Sequence, residues 1–113
     1  MIFRGMELNF SIFDADDAER YEKALKQLRA GSGARTGEGL AAATRRQCRL
    51  IFDFFDNLFG DGFHKEVFGD SCNLLECVEA AKELMLAIRE DSVRVNDITT
   101  ELAELAPKRK AAK

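Results

Sequence analysis

His64 is the one histidine in the chain, and so the first candidate for proton transfer or metal binding. Either role needs company: a nucleophile to activate, a carboxylate to orient the ring, or further donors at ligand spacing. The three thiols, Cys48, Cys72 and Cys77, include no Cys-x-x-Cys pair. Neither Cys48 nor Cys77 has a histidine or acid at a spacing that suggests a dyad. Asp53 and Asp56 lie three apart, on one face if the segment is helical, which reads as an exposed acidic face beside an apolar stripe. Residues 56–62, DNLFGDG, imitate a calcium loop. Counted from Asp56, however, Leu58 and Gly60 stand where oxygen ligands are needed, and counted from Asp61, Phe63 does. The glycine-rich run GSGARTGEG at 31–39 follows a helical pattern instead of a strand and lacks the closing Gly-Lys-Ser/Thr of a phosphate loop. The expectation is a protein with no catalytic residue, no cofactor and no metal site, and hence not an enzyme.

Charge narrows the partners. The formal net charge is −3. Four of the 17 basic residues (Lys108, Arg109, Lys110 and Lys113) fall in the last six positions, leaving 13 against 20 acids, a formal −7, in residues 1–107. An acidic body does not neutralise phosphates, so nucleic acid is not an expected partner. Arg45, Arg46 and Arg49 form a basic ridge off the apolar stripe of their helix and read as a solvated face. The basic end, 108–113, reads as a flexible tail. No apolar run approaches the roughly 20 residues of a membrane span. Arg4 and Glu7 interrupt any signal-peptide pattern, and an odd cysteine count disfavours a disulfide framework. These features point to the cytoplasm, with no membrane partner and no evident small-molecule substrate.

The elements that must carry any site are mainly helical. Residues 6–13, MELNFSIF, alternate apolar and polar as a half-buried strand does. Ile2–Arg4 can fold back on it through Gly5 as a short hairpin; otherwise the strand needs a partner from another subunit. Asp14 is placed to cap a first helix whose stripe is Ala18, Tyr21, Leu25 and Leu28, ending near Ala30. A second helix spans about Leu40–Phe59, with Ala41, Thr44, Cys48, Ile51, Phe55 and Leu58 on one face, widened by Phe52 and Phe59. Gly60, Gly62 and Gly69 then punctuate a turn. Asn73, three residues before Glu76, caps a third helix. Its apolar positions, Leu74 through Leu105, follow heptad-like steps with one polar layer at Asp91 or Ser92. At 1.5 Å per residue, 74–105 would be about 48 Å long. A body of this size cannot cover that length on one side, so either a break near Asp91–Ser92 or a partner helix is implied. The fold class is thus mainly α: an N-terminal strand followed by three helices, the last long, in one domain over 1–107.

Apolar surface is the surplus commodity. Leu50–Asp70 holds Phe52, Phe54, Phe55, Phe59, Phe63 and Phe68, six of the nine phenylalanines. Such density anchors a core or an interface. Phe52, Phe55 and Phe59 are expected inside. The partner-binding candidates are Phe10 and Ile12 on the strand, Phe54, Phe63 and Phe68 in the aromatic segment, and Val95, Ile98, Leu102 and Leu105 on the long helix.

The segment FFDNLFGDGFHKEVFGDSCNLLECVEAAKEL, residues 54–84, resembles an uncharacterised family of small proteins from phages and prophages of Gram-positive bacteria. The resemblance rests on Phe54-Phe55-Asp56 before Leu58-Phe59-Gly60, on the Phe68-Gly69 turn, and on Asn73-Leu74 with Cys77 and Ala81. The N-terminal MELNF strand before an acidic helix start also fits. That family has a small pair such as Gly-Thr where this chain has Gly62-Phe63, a departure that falls on the turn. The resemblance carries no catalytic residues. It implies a small product of a phage structural module, near the tail genes. The resulting expectation is a non-enzymatic factor of tail or virion assembly in the host cytoplasm. It would act as a homo-oligomer or as an adaptor for a larger phage structural protein. The competing class is a phage regulatory or nucleic-acid-associated protein using the arginine ridge and basic end.

Overall fold

The computed structural model describes residues 1–106; the basic tail expected at 108–113 lies outside the described residues. The chain opens with a minimal hairpin, β1 (Ile2–Phe3) against β2 (Met6–Glu7), antiparallel with Ile2 opposite Glu7 and Phe3 opposite Met6. Its two-residue loop, Arg4-Gly5, has φ of 50° and 80°. Positive φ at both central positions is what a type I′ turn requires, and its twist matches that of the strands. The hairpin expected through Gly5 therefore forms, but the strand expected over Met6–Phe13 stops at Glu7. Beyond it the backbone groups go elsewhere. The Leu8 amide still donates to Met1, and that of Phe10 donates to Leu8. The Ser11 amide donates to the Asp17 carboxylate, and that of Asp14 to the Ser11 carbonyl. Residues 11–14 thus wrap the start of the first helix. No long unpaired strand edge remains, and the need for a partner strand disappears.

Helix α1 (Ala15–Gly31) is capped by Asp14, whose Oδ1 accepts from the amides of Asp16 and Asp17. Tyr21, Leu25 and Leu28 are half-buried, and Ala24 is the residue wholly enclosed. Gly31, the last residue, lies so close to α2 that a Cβ there would stand 2.5 Å from Leu50 Cδ2. Helix α2 (Leu40–Phe59) is the centre of the molecule: α1, the short α3 and the long α4 all pack on it. Cys48, Ile51, Phe54, Phe55 and Leu58 are its buried residues. Phe55 has no exposed surface, and its ring lies 5.7–5.8 Å from those of Phe3, Phe54 and Phe68.

The glycine-rich segment after α2 is not only a turn. Phe63–Phe68 forms α3. Asp56 of α2 starts it by accepting the His64 amide at 2.8 Å, replacing one helix-end partner. Six residues give too few turns for a period to show in sequence, which is why the helix escapes that reading. Asn73 then caps α4 (Leu74–Leu105), its Oδ1 accepting from the Glu76 amide at 3.0 Å. The helix is unbroken. At the polar layer the Ser92 hydroxyl donates to the Ile88 carbonyl, a bond helices accommodate. The molecule is 69 Å along its longest axis and 33 Å along the next, because α4 outruns the body.

Candidate interaction surface

The nine apolar residues expected to bind partners separate sharply. Phe10, Phe54, Phe63 and Phe68 are buried in the chain's own core. Phe10 meets Phe59 edge-on at 5.6 Å, and Phe54 meets Phe55 in the same way. Phe63 lies 4.8 Å from Phe59, and Phe68 lies 5.5 Å from Phe52. With at most 9% of their surface left outside, these four have nothing to offer a partner. Their assignment to a binding surface is corrected to the core. For Phe63 and Phe68 the reason is α3, which folds back on α2 and turns them inward; Phe10 is enclosed by Tyr21 and Phe59, and Phe54 by Tyr21 and Phe55. Ile12 and Val95 are half-buried, while Ile98, Leu102 and Leu105 are exposed by 55, 64 and 83%.

The exposed residues make one surface. Leu84 and Leu102 stand 18 residues apart, five turns of helix, so they share a face. Leu84 is fully buried against the body; Leu102 is the same face continued beyond it. Phe13, 57% exposed, joins Ile12 to form one wall of a groove of about 600 Å³ against Ser92, Val95, Ile98 and Thr99. Phe13 is absent from the partner-binding candidates above, although its place just before the Asp14 cap is that of a hydrophobic staple. A second apolar groove, about 510 Å³, lies where α1 and α4 flank α2; Leu28, Ile51, Val78, Met85 and Leu86 line it. Leu86, off the heptad stripe, gave no sign of it in sequence.

The groups that chemistry would need are spoken for. His64 Nδ1 lies 2.9 Å from Asp56 Oδ2, and its ring stacks on Phe52 at 4.5 Å. Facing a carboxylate, Nδ1 is the nitrogen that carries the proton, so His64 ties α3 to α2. Arg46, in the ridge that could have held an anion, is committed within the chain. It binds the Glu38 carboxylate through Nε and Nη2 and donates to the carbonyls of Gly31 and Gly33. It thereby pins the glycine-rich connection to α2, and its guanidinium holds the Glu38 carboxyl below the usual carboxylate range. Among the described residues, no three histidine, cysteine or acidic side chains converge as metal ligands, and no buried side-chain N or O lacks a hydrogen-bond partner.

The cysteines meet in space, which their spacing conceals. Cys48 of α2 lies near both Cys72 and Cys77. Burial, with the neighbouring thiols adding to it, pushes the Cys48 thiol up to about 12, and burial also raises Cys77. The thiolate is the reactive form, so both buried sulfurs are unreactive at neutral pH. Cys72 is exposed. A thiol reagent at pH 8 is expected to label Cys72 quickly and Cys48 and Cys77 only in denaturant. Fast labelling of Cys48 or Cys77 in the folded protein would contradict this packing.

Residues 4–113 match a family described as being of unknown function. The chain belongs to the DUF6673 family. No curated protein and no solved structure shows significant similarity to it. The match runs from the hairpin turn through α1, α2 and α3 to the whole of α4 without assigning them an activity. Among the described residues, no helix is long and apolar enough to cross a membrane.

Proposed function

We propose that this protein is a non-enzymatic factor of phage virion assembly, acting at the tail or elsewhere in the particle through protein–protein contacts. The observation that carries the contact-based reading is the stripe of Ile98, Leu102 and Leu105, apolar and exposed on a helix that outruns the body. Scattered exposed apolar residues are ordinary, but an aligned run on one face marks an interaction site. The phage setting rests on the resemblance of residues 54–84. Its partners are then a second copy of itself and a phage structural protein, in the host cytoplasm or carried in the virion. The regulatory, nucleic-acid-associated reading loses one residue of its arginine ridge, since Glu38 and the connecting loop engage Arg46, and keeps the exposed Arg45 and Arg49.

Deleting the coding sequence from the genome that carries it, then imaging the particles produced, tests the proposal. Heads without complete tails, or incomplete particles, are expected. Normal particle yield and morphology would overturn the assembly reading.

A further inference from the structure

The distal part of α4 carries its own charge code. Arg94 and Glu101 stand seven residues apart, two turns, on one edge of the apolar stripe. About 10.5 Å along the axis separates them, too far to pair with each other, and Arg94 makes no ion pair among the described residues. We propose that this segment pairs with the same segment of a second copy, antiparallel, about a two-fold axis near Asp97–Ile98. The inference deepens the contact-based reading above and rests on it. A two-fold interface must be complementary to itself, and this one is: the axis sets Arg94 against Glu101 of the second copy, and Glu101 against its Arg94. The same operation lays Ile98 beside Ile98 of the other copy. A parallel pairing would put like residues at one level on opposite sides of the seam, so Arg94 would not meet Glu101. Residues 91–104 of the two copies overlap over about 21 Å, along the part of α4 that the body leaves bare.

Sedimentation of the full chain over a wide concentration range should show a monomer–dimer equilibrium. Arg94→Glu or Glu101→Arg alone should weaken the dimer about tenfold, the swing from attraction to repulsion at two exposed pairs. The double exchange should restore it. Ile98→Glu with Leu102→Glu should weaken it more than about a hundredfold. All four positions lie on the exposed part of α4, and circular dichroism will show that these variants keep their helix content. Orientation is read in a Cys72→Ser background with a short bis-maleimide. A mixture of R94C and E101C chains should cross-link as heterodimers, with little product from either alone. Cross-links mainly between like chains would mean that Arg94 and Glu101 do not face each other across the pair and would overturn the proposal. A monomer at every concentration, or a dimer indifferent to Ile98 and Leu102, would do the same. A dimer of this geometry whose gene is dispensable for particle assembly keeps this inference and removes the assembly function. A monomer whose loss blocks assembly does the reverse.

Discussion

Phe55→Ala is expected to lower stability by about 3–5 kcal/mol, the usual cost of truncating a fully enclosed aromatic ring. A domain of this size commands about 5–15 kcal/mol in all, so the variant should unfold at far lower denaturant concentration and melt many degrees earlier. The size of the effect follows from position. Phe55 has no exposed surface and its ring meets those of β1, α2 and α3, with Phe3 at 5.8 Å, Phe59 at 6.5 Å and Phe63 at 6.2 Å. Three elements lose a shared contact at once, and rings held by that many neighbours cannot collapse into the space left behind. Chemical denaturation monitored by circular dichroism measures it. An unchanged midpoint would mean that the aromatic cluster is not the core.

Leu84→Ala and Leu102→Ala form the second test, because the two leucines share a helix, a face and a residue type. Leu84 is enclosed between α4 and the body, and its truncation should cost about 2–5 kcal/mol. Leu102 is 64% exposed, and its truncation should change monomer stability by no more than about 0.5 kcal/mol. The comparison is made at concentrations where the chain is monomeric, so that any contact between copies does not enter. Equal losses at the two sites would mean that distal α4 packs on the body after all.

Much of the scaffold is local chemistry, and that part is legible in the residues themselves. Asp14 and Asn73 cap the helices that follow them because a short oxygen-bearing side chain reaches the first-turn amides whatever the rest of the chain does. Helix α2 runs from Leu40 to Phe59 as its 3–4 spacing requires, since one amphipathic face repeats every turn. The Arg4-Gly5 turn follows from a glycine that tolerates positive φ.

What the residues alone could not decide is which apolar side chains a neighbour would cover. Phe63 and Phe68 alternate between core and surface readings until α3 folds back on α2 and buries both. Residues 8–13 have a strand's alternation, yet the cap around α1 takes their hydrogen bonds. Cys48, Cys72 and Cys77 converge through the α2–α4 packing, a juxtaposition invisible to spacing. Leu84 and Leu102 are equivalent in period and type, and α2 covers only one of them. Periodicity specifies a face; burial depends on what lies opposite it, and that is settled by packing at long sequence separation.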